Sequence, residues 1–203
     1  MALEELKVFA AAVARFAAQG FSGTTFAQIE ADLDLPAGTL AAEYGTLDTL
    51  WERSVLETFN QHHDVVYNRC AVVFASHARE IERLEQLIAI FIASAGDHPE
   101  LQRIINHEAT MESPRVDVIF AQAVMPLIQG FQPMIDSLVE AKEIRAIDDR
   151  EMFFILANGA ASVHAFTPLS IRFNDRSGPL DIEEYSRSLA RLIVKGLRIH
   201  KPR

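Results

Sequence analysis

Few residues in this sequence have the type and spacing that covalent or metal chemistry needs. His62, His63 and Asp64 stand side by side. Neighbours on a helix point about 100° apart, so these three do not converge on one ion. His107-Glu108 fails for the same reason, and no His-x3-His pair is present. Cys70 is the only cysteine, which excludes an intrachain disulfide. The carboxylate pairs Glu4-Glu5 and Glu183-Glu184 fall on polar helix faces and read as solvated. No nucleophile elbow, phosphate loop or zinc motif occurs. The expectation is a protein that is not an enzyme, with no metal and no cofactor.

The remaining chemistry is the grip of side chains on phosphates or on a small molecule. The chain carries 19 Lys and Arg against 28 Asp and Glu, a net charge of −9. An acidic protein binds DNA only where its cations gather on one face. From Phe16 to Glu52 there is no Lys or Arg, while Glu30, Asp32, Asp34, Glu43, Asp48 and Glu52 lie in the same stretch. Lys7 and Arg15, just before it, are placed to reach a flanking phosphate. Positive charge is densest at the other end, at Arg187, Arg191, Lys195, Arg198, Lys201 and Arg203. There it reads as a solvated face that suits a helix C-terminus.

The elements that position these residues are helices. Apolar residues recur at three and four, and hairpin turn pairs are missing. Leu3, Leu6, Phe9, Val13 and Phe16 mark a first helix that Gly20 stops. Thr24 or Thr25 caps a second, from Phe26 to about Leu33. A third runs from about Ala37 to Glu43, and Thr46 caps a long fourth that starts near Leu47 and continues to about Ser76. Further helices are expected from His77 to Ser94, from Pro99 to Met111, from Pro114, through Pro126 and Pro133 to near Lys142, and from Asp148 or Asp149 to before Pro168. Arg172 to Pro179 reads as a polar loop, and a last helix runs from near Leu180 to about His200. The chain has 203 residues, 49% of them hydrophobic. That predicts an all-α fold of about nine helices: a small three-helix domain over residues 1–47 and a larger helical domain over 48–203. The longest apolar stretches, such as Leu87 to Ala95, fall short of a membrane span. No secretory signal opens the chain, so a cytoplasmic protein without membrane contact is expected.

The run Phe16-Ala17-Ala18-Gln19-Gly20-Phe21, followed by Thr24-Thr25-Phe26, Ile29, Leu35, Gly38-Thr39-Leu40 and Tyr44, resembles TetR-type transcriptional regulators. Order and spacing agree over roughly Phe9 to Leu50. The resemblance implies a helix-turn-helix module, in which Gly38 allows close approach at the start of the third helix. It implies DNA-facing positions at Thr25, Gln28, Ala37, Gly38, Thr39, Ala41, Glu43, Tyr44 and Leu47. Several of these depart from the family. Ala41 stands where a tyrosine is usual, Glu43 where a histidine is usual, and Leu47 where a lysine is usual, so three phosphate contacts are lost. Glu30 replaces a small residue at a close helix crossing and must push outward or shift it. Asp34 replaces the turn glycine and is the milder change, because Asp tolerates a left-handed turn.

The resemblance also implies a ligand pocket among the middle helices. Its candidate lining is Phe74, Ile88, Phe91, Met111, Phe120, Met125, Phe131 and Phe154, with His77, His107 and His164 as polar handles, which suits a small apolar ligand. Two late helices are too apolar for a monomer surface. Met152, Phe153, Leu156, Ala160, Val163, Leu189, Leu192 and Ile193 are the expected homodimer contacts. Two functions follow. One is a ligand-responsive regulator that binds DNA as a homodimer. The other is a relative that has lost ordinary operator binding and serves as a small-molecule sensor or protein-interaction module.

Overall fold

Apolar residues three and four apart drive helix formation along nearly the whole chain. The computed structural model describes residues 3–199. Helix fills eleven stretches of them, nine of seven residues or longer, and no strand occurs among the described residues. In chain order the elements are α1 (Leu3–Gln19), α2 (Phe26–Asp32), α3 (Thr39–Tyr44), α4 (Leu47–Phe74), α5 (Glu80–Ser94), α6 (Pro99–Ala109) and α7 (Pro114–Ile119). A π-helical turn (Phe120–Val124) leads into α8 (Met125–Glu140). Then come α9 (Asp149–Phe153), a second π segment (Phe154–Ala160), α10 (Ser162–Ala165), α11 (Thr167–Ser170), a 3-10 turn (Ile171–Phe173), α12 (Asn174–Ser177) and α13 (Ile182–Leu197).

Two compact units result. One holds the residues up to Gln61 together with His98–Val124, and the other holds His62–Asp97 together with the residues from Met125 onward. In the first unit α1 packs along α6. Phe16, Ile29, Leu40, Leu50, Trp51 and Ile104 form its fully buried centre. Gly20 ends α1 at φ +69°, with the His107 ring 3.4 Å from where a Cβ would stand. Its left-handed backbone costs other residues about 1–2 kcal/mol. Thr25 then opens α2 with a capping box: Gln28 N donates to Thr25 Oγ1, and Gln28 Oε1 accepts from Thr25 N at 2.8 Å. Asp34 takes the left-handed turn at φ +52°, as its residue type allows.

In the second unit α13 lies along α5. Ile81, Leu84, Ile88, Leu138, Leu156, Ala190 and Val194 build its core. Arg69 closes the end of α5, donating to Ser94 Oγ at 2.5 Å and to Asp97 at 2.6 Å.

Several boundaries differ from expectation. α5 begins at Glu80 rather than His77, where Arg79 N is met by Glu82 in a capping arrangement. The expected loop from Arg172 to Pro179 is largely helical, and Gly178 at φ +75° stops it. The apolar helix after Asp148 is interrupted, running through the π segment and α10. α13 starts at Ile182, because Asp181 accepts from the amides of Glu183 and Glu184. The side chain of Leu3, and His200, Lys201 and Arg203, lie outside the described residues. Pro126 lies in the first turn of α8 and Pro133 inside it, and α8 ends at Glu140, near the expected Lys142. The run Pro114–Glu140 is therefore 27 residues long, the one run among the described residues long and apolar enough to cross a membrane by length and composition.

His164 gives the second unit a pH dependence. Its ring approaches Gly96 so closely that an added Cβ there would lie 2.7 Å away. Nε2 sits 3.0 Å from the Ile92 carbonyl and donates to it when it carries the proton. Burial pulls the imidazole below its usual 6.5, against smaller opposing pulls from that carbonyl and Asp97. The folded state thus holds fewer protons than the unfolded chain. The stabilisation is complete above 6.5 and is lost as pH falls through the lower folded value. A thermal melt should therefore drop in Tm between about pH 7 and about pH 5, and His164→Gln should flatten that drop. His63, whose imidazole burial also holds below its usual value against the pull of Asp64, should contribute part of the slope that remains.

Candidate nucleic-acid interface

The third helix is short, and its residue types decide what it shows to solvent. Leu40 and Tyr44 turn inward, at 1% and 4% exposure. Ala37, Gly38, Ala41, Ala42 and Glu43 face out, and Leu47 is half-buried. Tyr44 is therefore not available to a phosphate. Its ring packs 6.2 Å from Phe9 with the Arg53 guanidinium 5.1 Å from its centroid, and burial pushes its phenol pKa up, with Glu43 adding to the shift. Thr39 Oγ1 donates to the Pro36 carbonyl at 2.7 Å, and the Gln28 side chain is taken by the capping box. Gly38 adopts φ +85° with nothing within 4 Å of a Cβ position. Backbone conformation, not close approach, explains this glycine.

Glu30 corrects the expectation most sharply. It neither swings outward nor carries an exposed charge; it is 4% exposed. One carboxylate oxygen accepts from Gly38 N at 3.1 Å and the other from Leu40 N at 2.9 Å. The carboxylate thus caps α3 from within, at the end where free amides and the helix dipole favour an anion. Those amides are the backbone groups that a phosphate would otherwise use.

The nearby cations are also committed. Arg15, expected to reach a phosphate, makes two bonds of 2.5 Å to Asp32. That shared hydrogen bonding raises the Arg15 pKa and holds the Asp32 carboxyl below its usual range. Arg53 pairs with Glu5. Arg115 donates to buried Glu108 at 3.0 Å and to Asp48 at 3.0 Å, with its guanidinium 3.6 Å from the Phe21 ring centroid. Lys7 is exposed on α1.

The predicted ligand and dimer residues are dispersed. In the second unit Phe91 and Phe131 line a cavity of about 30 Å³ with Leu127, Ile128, Met152 and Leu156, room for about one water molecule. Ile88 is core, Met125 is half-buried, and His77, Phe74 and Phe154 are exposed. In the first unit His107, Met111 and Phe120 are exposed. Of the expected dimer residues, Leu156 and Ala160 are buried within this chain, and Met152, Leu189 and Ile193 pack on its core. Val163 is half-buried beside an open groove, Phe153 borders the small cavity, and Leu192 is 68% exposed. Sequence reasoning missed Leu127, Ile128, Ile135, Ile147 and Ala157 as cavity lining. No sequence signal marked the π segment that aims Leu156 and Ala157.

Glu30→Ala should destabilise the first unit by about 1–3 kcal/mol, because two amides lose their acceptor. Glu30→Gln, which keeps one carbonyl acceptor, should lose less. Urea unfolding followed by Trp51 fluorescence measures both, and an unchanged midpoint in Glu30→Ala would remove the cap from the account.

No protein-family model and no curated protein matches the chain. Solved structures do. A bacterial regulatory protein of the TetR family from Rhodococcus RHA1 is 18% identical, with a TM-score of 0.74 over 99% of this chain and 100% of that one. The ketosteroid transcriptional regulator KstR2 of Mycobacterium tuberculosis is 18% identical, with a TM-score of 0.68 over 98% and 97%. The transcriptional regulator FadR from Bacillus subtilis, in complex with stearoyl-CoA, is 14% identical, with a TM-score of 0.66 over 95% and 98%. The chain has the fold that these regulators share.

Proposed function

We propose that this chain is a ligand-responsive transcriptional regulator of the TetR type that works as a homodimer in the cytoplasm. Residues 1–47 serve as the DNA-facing module, and residues 48–203 bind ligand and dimerise. The observation that carries this reading is the likeness of nearly the whole chain to solved regulators, joined to an intact trihelical unit with its Gly20 stop, Thr25 cap and Asp34 turn. The DNA contact falls to the outward residues Ala37 and Ala41 by close fit more than through cations, since the Thr25 and Thr39 hydroxyls and the Gly38 amide are already bonded within the chain.

A small apolar molecule suits the second unit. One structural neighbour is named a ketosteroid regulator, and another is in complex with stearoyl-CoA, whose acyl chain is apolar although its CoA head is charged. The cavity beside Phe91 and Phe131 is bounded by apolar side chains, with Asp148, Asp149 and Gln132 at its edge. At about 30 Å³ it must open to admit such a ligand. The π segment beside it, a geometry that recurs at functional sites, is the wall that yields. Dimerisation uses the exposed apolar residues of the same unit, among them Leu192, Phe154 and Phe166.

A second reading has its own observation. Glu30 already holds the amides of α3, and Arg15, Arg53 and Arg115 are paired within the chain. Affinity for DNA rests largely on cations that displace counterions, about 0.9 in salt slope per phosphate. A member of this fold with so few would sense ligand and act through a protein.

Fluorescence anisotropy with the DNA upstream of its own gene separates the two. A working regulator binds selectively, at nanomolar concentration in low salt, with a shallow salt dependence. Weak binding that is indifferent to sequence selects the second reading. In either case Ala41→Lys with Glu43→Lys should tighten binding and steepen the salt slope by about 0.9 for each phosphate gained. Light scattering should give a dimer at micromolar concentration, and Leu192→Asp should shift it to monomer with helicity retained. A wild-type monomer would count against the homodimer.

A further inference from the structure

The first unit carries an opening that the proposed DNA and ligand roles leave unused. Beside the contact of α1 with α6, about 320 Å³ remains between α1, α4 and the start of α6. Pockets for small molecules begin at about this size, roughly 300 Å³. Elsewhere the unit is closely packed, with Phe16, Leu50, Val55 and Ile104 at 1% exposure or less. The gap exists because α1 presents Ala10 and Ala14, one turn apart, where larger side chains would fill it. An unfilled space forfeits dispersion contacts on its walls.

The two walls differ in kind. α1 supplies an apolar one, with Phe9 and Val13 behind the alanines. α4 and α6 supply a polar one that bears two carboxylates, Glu57 and Glu100, against one guanidinium, Arg103. Glu57 accepts from the neutral amide of Gln61 at 2.9 Å, and Glu100 lies 2.9 Å from His98 Nδ1. An anionic guest would face two like charges and a neutral one would gain nothing from them, whereas a cation finds two carboxylates against the Arg103 guanidinium and the His98 ring. We infer that this opening binds a small organic monocation, its apolar body on α1 and its ammonium head toward Glu57 and Glu100. The site lies wholly within the first unit and is independent of the apolar cavity in the second.

Isothermal titration calorimetry of the full chain with three matched probes tests it: 2-phenylethylammonium, 2-phenylethanol and 3-phenylpropionate. The ammonium should bind about tenfold or more tighter than the other two, a difference of about 1.4 kcal/mol. Glu57→Gln with Glu100→Gln should remove that preference. Ala14→Leu, which fills the opening from an exposed helix position, should abolish binding with unchanged helicity, and Ala10→Leu gives an independent plug. Equal affinity for the three probes, preference for the carboxylate, no binding, or ammonium binding that survives both plugs would each overturn the inference. None of these outcomes bears on binding at the apolar cavity, whose residues the variants leave intact.

Discussion

A carboxylate buried at the junction of two short helices holds the first unit in register. α2 and α3 have seven and six residues. Isolated helices of that length do not persist in water, so tertiary ties must fix them. Glu30 reaches eight and ten residues along the chain to Gly38 and Leu40. A buried anion without partners would be expensive, but two amides and the positive end of α3 offset that expense. Because Glu30 fixes where α3 begins, it also fixes which residues turn inward. Leu40 and Tyr44 complete the core, and Ala41, Ala42 and Glu43 are left outside.

Arg115 ties the same unit together from its far side. It stands just inside α7, behind the Ser113 cap, whose Oγ accepts from Arg115 N and donates to Glu108. Its guanidinium spans the buried Glu108 carboxylate, Asp48 at the head of α4 and the face of Phe21, just after α1. An arginine held by a buried acid and an aromatic face keeps a more fixed geometry than a solvated pair. α6 and α7 thereby hold the turn after α1 and the start of α4, the two ends that frame α2 and α3.

What was legible in the sequence follows from how local each signal is. Gly20, the cap at Thr25, the turn at Asp34 and the Thr46 cap of α4 are decided within four residues, and each folds as its residue type dictates. Glu30 is illegible locally because its partners lie eight and ten residues away and its burial depends on them. The π segments escaped because the same apolar run suits either helix period. The segment from Arg172 to Ser177 read as loop from its polar residues, yet it forms short turns of helix that need no apolar face. The expected dimer residues lie on two strongly apolar late helices, and that property fits burial inside one chain equally well. Leu156 and Ala160 are spent there, while Leu192 is not.

Counting charges in sequence also overstated how hostile the α2–α3 region is to DNA. Of its six acids, Glu30 is inside and capping α3, Asp32 is neutralised by Arg15, and Asp48 shares Arg115 with the buried Glu108. Asp34, Glu43 and Glu52 remain exposed without a cation partner among the described residues. The outward face is thus mildly acidic and lined with alanine, not densely negative. The repulsion is smaller than the count implies, but the attraction is smaller still, because the arginines that neutralise those acids are the ones a phosphate would need. One set of ion pairs both steadies the module and withdraws its charge. Any DNA contact therefore rests on shape, and sequence preference would come from close fit of Ala37, Ala41 and Ala42 more than from charge.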